Sequence, residues 1–316
     1  MLNQEEMSAF NYVPSLYWVF TQLCNDQCDH CYNNSGPSGE RMSLEDCLKI
    51  VQNLPDKIDR LILSGGEPLS EKKILYEILA ALQIKYGNTT RIMLQTNGDL
   101  LNEKILDKLL DLGVTRIDIA SIDRFHTHKE NHLSRLKALF SSRKIYCDND
   151  AETSYLLDNT KVSWAYWGST EDLWLGGNWA RGRALKTDVW TKDPNHNFCS
   201  IHSGARNFLG GHTDISQEVS IQLWKINPCC PGTKYPMGDA RTQKVSEILE
   251  KVSTHPVFMA LNDGQPQKMG EHLGISFEEA KRQTEALKNI CLYCDQFFSK
   301  HMSNWNTDTF IPLPVI

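Results

Sequence analysis

The sequence has no long apolar run, and no stretch approaches the roughly 20 apolar residues that cross a bilayer. Its first residues, Met1-Leu2-Asn3-Gln4-Glu5-Glu6, lack the basic region and apolar core of a secretory signal, so a cytosolic protein is expected. A basic surplus is missing too. Lys+Arg 33 stand against Asp+Glu 39, a formal charge of -6, and no cationic run tracks a phosphate backbone, so neither nucleic acid nor membrane is an expected partner. Few residues precede the first apolar run, so no separate leader-binding module is expected either. What is present is a chain of 316 residues, 41% hydrophobic, long enough for one large and one small lobe. Its ten cysteines, without a signal, read as metal ligands and free thiols, not as a disulfide framework.

Cys24, Cys28 and Cys31 follow the apolar run Leu16-Tyr17-Trp18-Val19-Phe20 with spacing C-x3-C-x2-C. An iron–sulfur cube takes four thiolates, so three leave one iron open to a substrate or cofactor. Structural zinc is the competing interpretation, with His30 as a fourth ligand. His30 lies between two of the cysteines, which is poor spacing for closing a tetrahedral site. Further on, the apolar Leu61-Ile62-Leu63 runs into Ser64-Gly65-Gly66-Glu67-Pro68. Side chains at Gly65 and Gly66 would block close approach of the backbone to a ligand, and Glu67 offers an acceptor for an ammonium group.

These two motifs, CNDQCDHCY and SGGEP, resemble the radical SAM superfamily. The resemblance implies a [4Fe–4S] cluster on Cys24, Cys28 and Cys31, whose free iron binds the methionine end of S-adenosylmethionine, with Gly65, Gly66, Glu67 and Pro68 beside it. It implies a partial (β/α)6 TIM barrel and a reductant such as flavodoxin or ferredoxin. Loaded protein is expected to be oxygen-sensitive.

The pattern along the chain fits an α/β fold. Strands are expected at Leu16–Leu23, Arg60–Ser64, Arg91–Thr96, Arg116–Ser121 and Val162–Tyr166. Helices are expected from Ser43, near Glu71–Tyr86, after Asn102, and near Glu130–Phe140, with Cys47 a core filler. Residues 1–14 are an N-terminal extension, 15–190 the barrel, and 191–316 a small α+β domain. Cys24, Gly65 and Asn97 each follow a strand, so they share the rim where barrels build catalysis. Thr96 and Asn97, with Gln95, end the third strand and suit adenosine or ribose. Ser121 and Asp123 resemble rim residues used near ribose or substrate. His126, His128 and His132 are read as solvated loop positions. The segment from Leu173 to Ala184, rich in Gly, Trp and Arg, resembles a bridge to a C-terminal module.

A second cysteine set follows. Cys199 and the pair Cys229-Cys230 lie on either side of an expected hairpin (Asn207–Phe208 with Val219–Trp224), and Cys291-x-x-Cys294 is expected at the end of a helix capped by Ser276. Setting aside Cys24, Cys28, Cys31, Cys47 and Cys147 leaves five thiols, enough for one four-cysteine site and a spare. A zinc staple on the same residues is the alternative. Adjacent cysteines point in different directions, so one of Cys229 and Cys230 is expected to be a ligand and the other free. This set resembles the twitch form of the SPASM-like auxiliary module, which implies a second [4Fe–4S] cluster on Cys199, Cys229, Cys291 and Cys294. The tandem pair is similar to that of radical SAM peptide epimerases, which implies a peptide substrate and Cys230 as hydrogen-atom donor to its Cα. Rival substrates are a sugar or aminoglycoside, oxidised or epimerised, or a peptide crosslinked through carbon–sulfur or carbon–carbon bonds.

Overall fold

The computed structural model describes residues 9–127, 131–150, 161–169 and 176–305. Nine strands form one sheet: β1 (Tyr12–Val19), β2 (Lys57–Ser64), β3 (Arg91–Thr96), β4 (Val114–Ile119), β5 (Tyr146–Cys147), β6 (Ser163–Tyr166), β7 (Glu218–Gln222), β8 (Lys225–Asn227) and β9 (Gly238–Asp239). Their spatial order is β5-β6-β4-β3-β2-β1-β7-β8-β9. From β5 to β7 every pairing is parallel, and β8 and β9 are antiparallel. Helices α1 (Leu44–Asn53), α2 (Lys72–Tyr86), α3 (Glu103–Asp111) and α4 (His132–Ser142) alternate with the early strands. Beyond them lie α5 (Gly182–Lys186), α6 (Val245–Val252), α7 (Pro256–Asn262), α8 (Phe277–Leu287) and α9 (Ile290–His301). The architecture is the partial barrel of an α/β protein. No helix among the described residues is long and apolar enough to cross a membrane.

Local chemistry explains the ends of these elements. Ser43 Oγ accepts from Asp46 N at 3.1 Å to start α1, and Asn102 Oδ1 accepts from Ile105 N at 3.0 Å to start α3. Cys47 is fully buried on the inward face of α1. β1 is buried on both faces, with period two. Leu16, Trp18 and Phe20 enter the main core, while Tyr17 and Val19 enter a second apolar cluster with Trp179, Phe198, Cys230, Ile290 and Cys291.

β6 lies between β4 and β5, so the sheet does not follow chain order at that edge. Three expectations need correction. β1 starts at Tyr12 and leaves the sheet after Val19, because Thr21 and Leu23 bridge instead to Arg41 and Gly36. The hairpin is β7 with β8, not Asn207–Phe208 with Val219–Trp224. Its two-residue turn has Leu223 at φ 56°, a left-handed position with no glycine to signal it. Cys291 and Cys294 open α9 instead of ending α8, since Lys288 breaks the chain at φ 58° and Asn289 Oδ1 then caps Cys291 N at 2.8 Å.

β7 pairs with β1 from Ser15↔Glu218 to Val19↔Gln222, so the sheet runs unbroken past residue 191. Trp18 fastens the join: its Nε1 donates to Leu223 O at 2.9 Å from a fully buried ring. Trp18→Phe would leave that carbonyl unsatisfied and a void behind it. A loss of about 2 kcal/mol is expected, measured as a lower urea midpoint at unchanged m.

Candidate active site

After β1 the chain folds back on itself before reaching the cysteines. Cys24 N donates to Gly36 O at 2.9 Å, Gly66 N to Thr21 O at 2.7 Å, and Glu67 N to Leu23 O at 2.8 Å. A Cβ at Gly66 would stand 2.5 Å from Leu23 O, and one at Gly65 would stand 2.9 Å from Thr21. The close approach that these glycines permit is therefore to the cysteine loop itself. Both still line the cavity that the loop encloses.

That cavity is lined by Cys24, Cys28 and Cys31 from the loop, by Thr96, Asn97 and Asp123 from the rim, and by Cys230 from beyond β8. Glu67, Pro68 and Ser121 are buried behind its wall. Two of the loop sulfurs already accept backbone N–H groups: Cys24 from Asp26 at 3.4 Å and Cys31 from Ser35 at 3.3 Å. Such donors suit cluster thiolates. His30 Nδ1, Asn33 Nδ2, Ser35 Oγ and Trp179 Nε1 are buried without a partner, and all four residues line the same cavity. Orphaned polar atoms at one cavity point to a polar guest.

The rim carboxylates are committed to the protein. Glu67 is fully buried; its Oε1 accepts from Leu69 N and Thr96 Oγ1 at 2.9 and 2.7 Å, and its Oε2 accepts from Asn97 N at 2.7 Å. Burial lifts its carboxyl to about 7 against those donors. Asp123 accepts from Phe125 N, His126 N and Ser169 N, and pairs with His126 Nδ1 at 2.9 Å. Although burial pushes it up, the His126 bond and charge hold Asp123 well below the usual carboxylate range. Ser121 Oγ donates to Asn97 O at 2.7 Å.

His126 and His132 are not solvated loop positions. His126 packs edge-on against His30 at 4.8 Å, and His132 is buried at the start of α4, 3.1 Å from Asn97 O. His128 lies outside the described residues, as do residues 1–8 and Leu173, Trp174 and Leu175. Among the described residues one set of ligand atoms lies within 4.8 Å of one another: Cys28, His30 and His126. His30 is held neutral, its imidazole pushed down to about 4 by burial and then by His126.

The second set of thiols also converges. Cys199 lies near enough to Cys291, Cys294 and Cys229 to interact electrostatically, as does Cys294 to Cys229 and Cys291, and burial pushes all four thiols up. Arg181 lies among them, donating to Cys291 O at 3.0 Å and paired with Asp295 Oδ2 at 2.8 Å. Burial opposes its charge, but the surrounding cysteines and Asp295 hold the guanidinium charged. Cys147 is apart, half-buried on β5.

Cys229 and Cys230 diverge as adjacent residues must. Cys230 Sγ is 3.0 Å from Tyr32 Oη in the cavity, while Cys229 is held with Arg181 and Cys291. Burial pushes the Cys230 thiol well up, so it stays protonated. Sequence reasoning missed Tyr17, Tyr32, Arg181 and Arg183. Tyr32 had a signal, since it directly follows Cys31; the arginines had only their place in a Gly- and Trp-rich stretch. Arg183 clamps the cysteine loop, donating to Cys28 O at 2.8 Å and Ser35 O at 2.7 Å.

Glu67→Gln tests the turn. An amide NH2 must then face one of three donors, so a loss of about 1–3 kcal/mol in denaturant stability is expected. An unchanged midpoint would mean that the carboxylate does not hold the turn.

Residues 18–126 match the radical SAM superfamily. The chain is 34% identical over 142 residues to the AdoMet-dependent heme synthase of Methanosarcina barkeri, covering 42% of this chain and 38% of that protein. It is 30% identical over 120 residues to the GTP 3',8-cyclase of Sinorhizobium medicae, covering 36% and 34%. The chain thus spans well under half the length of these curated relatives. Among solved structures, BtrN in complex with AdoMet and 2-DOIA matches at a TM-score of 0.51 and 18% identity, over 84% of this chain and 90% of that one. With the cysteine loop and the glycine turn both inside the matched segment, residues 18–126 of this chain form a radical SAM superfamily domain.

Proposed function

We propose that the protein is a radical enzyme that uses S-adenosylmethionine to invert Cα centres of a peptide. Cys24, Cys28 and Cys31 hold a [4Fe–4S] cluster, and the rim from Gly65 to Pro68 with Thr96, Asn97, Ser121 and Asp123 frames the cofactor. When bound, cluster and cofactor supply the one-electron chemistry that removes a substrate hydrogen atom. Cys230 gives a hydrogen atom back from the opposite face of the planar carbon. Cys199, Cys229, Cys291 and Cys294 hold a second cluster in an auxiliary domain spanning 191–316, beside a barrel of 15–190, and a flavodoxin or ferredoxin supplies electrons.

The observation that carries this reading is the split between Cys229 and Cys230. A thiol that lines the same cavity as the three loop cysteines stands where it can reach a radical made there. Its neighbour stays with the second thiol set. A simple structural staple would have no use for that division. A sugar-class substrate would leave the same cysteine roles intact, and the likeness to BtrN, being one of fold, does not favour it.

A second reading has its own observation: one thiol and two imidazoles at Cys28, His30 and His126 suit a single zinc ion. Metal analysis of anaerobically reconstituted protein separates the two. About eight irons per chain are expected for two cubes; about four would leave the C-terminal set without one, and stoichiometric zinc with no iron would sink the proposal.

Cys230→Ala tests the donor. The variant is expected to form 5′-deoxyadenosine still, but to return no deuterium to peptide from heavy water. Deuterated product at the wild-type level in that variant would remove Cys230 from the reaction.

A further inference from the structure

We infer that Tyr32 returns a hydrogen atom to Cys230 after each turnover, so that the thiol is reused within the site. The inference rests on Cys230 being the donor of the proposed reaction. A thiol that has given its hydrogen atom is left as a sulfur radical, and it must be reset before another substrate is processed. Two phenols face that sulfur: Tyr32 Oη, 3.0 Å away, and Tyr17, whose own hydrogen goes to Ser64 Oγ.

The hydrogen-bond directions suit the task. Tyr17 Oη donates its hydrogen to Ser64 Oγ at 2.8 Å, so toward Tyr32, 3.5 Å away, its oxygen is an acceptor. Tyr32 has one hydrogen, and the nearer acceptor is the sulfur. With the phenol donating to Sγ, the S–H bond of Cys230 is free to point into the cavity. The O–H that orients the sulfur is then the one aimed at it once its own hydrogen has gone.

Tyr32 is also held firmly. Its ring meets Trp179 edge-on at 4.8 Å. Its backbone is pinned by the start of α5, where Arg183 N donates to Cys31 O at 2.9 Å and a Cβ at Gly182 would lie 2.2 Å from Tyr32 O. A fixed donor–acceptor pair is what a hydrogen transfer needs.

The step balances. Delivery to substrate breaks S–H, forms C–H and leaves the unpaired electron on sulfur. Tyr32 O–H then breaks and S–H reforms, an exchange between bonds of similar strength that moves the unpaired electron to the phenolic oxygen. One electron from a low-potential donor of the flavodoxin or ferredoxin class, with one proton from water, restores the phenol.

The test uses reconstituted wild type, Tyr32→Phe and Cys230→Ala in heavy water, with synthetic copies of peptides encoded beside the gene. With enzyme in excess, Tyr32→Phe is expected to give singly deuterated product at wild-type yield. With peptide in excess, its turnover is expected to fall by roughly tenfold or more. Wild type frozen during turnover should show a radical whose EPR spectrum narrows when ring-deuterated tyrosine is supplied, and Tyr32→Phe should lack it. Equal turnover in excess peptide overturns the inference, and so does loss of the single turnover, which would make Tyr32 a positioning residue alone. If Tyr32→Phe does not fold, 3-fluorotyrosine at position 32 keeps the shape, and a radical without fluorine splitting overturns the inference. Deuterium incorporation by Cys230→Ala, whatever Tyr32→Phe does, is instead the failure of the parent reaction.

Discussion

The site depends on two backbones meeting where neither carries a side chain between them. The bonds from Gly66 N to Thr21 O and from Glu67 N to Leu23 O join the end of β2 to the start of the cysteine loop. They form only because Gly66 lacks a Cβ. A loop with three thiols has no regular structure of its own, so its shape must come from outside. Glu67 supplies that shape from beneath, taking bonds from its own turn and from Thr96 and Asn97 at the end of β3. Buried and satisfied, it ties two rim turns into one rigid ledge.

The second constraint is that β1 has two working faces. One face gives Leu16, Trp18 and Phe20 to the core under the helices, and the other turns Tyr17 toward the cavity. Because β7 pairs with β1 in parallel, the chain leaving the β7–β8 turn emerges next to the cavity. This is how cysteines about two hundred positions apart come to share one space. The antiparallel turn back through β8 then sends Cys229 and Cys230 to opposite sides.

Much of this was legible in the sequence. Strands ending in chemistry-bearing residues, the caps at Ser43, Asn102 and Ser276, and the buried Cys47 follow from local rules that act over a few residues. Counting thiols gave room for one four-cysteine site and a spare, and the choice of Cys199, Cys229, Cys291 and Cys294 came from the resemblance to the auxiliary module. What local rules could not supply was whatever a neighbour decides. Leu223 and Lys288 adopt left-handed backbone without glycine, because the packing of a hairpin and of a helix pair imposes it. Glu67 looked like a ligand for an ammonium, since nothing in SGGEP announces that three donors from two segments already surround it. His126 and His132 looked solvated, because His30, against which His126 packs, and Asn97, which His132 faces, belong to distant segments.

Two arginines bind the halves together. Arg181 and Arg183 stand two residues apart, yet the first donates to Cys291 O among the C-terminal thiols and the second to Cys28 O in the N-terminal loop. A guanidinium on each carbonyl oxygen offsets the negative potential that the oxygen adds beside its cysteine. The two thiol sets are thereby served by cations on one short stretch of chain. Trp179, on the same stretch, packs on both Tyr32 and Phe198, the residue before Cys199. One short segment therefore contacts both thiol sets, although they lie in different halves of the sequence.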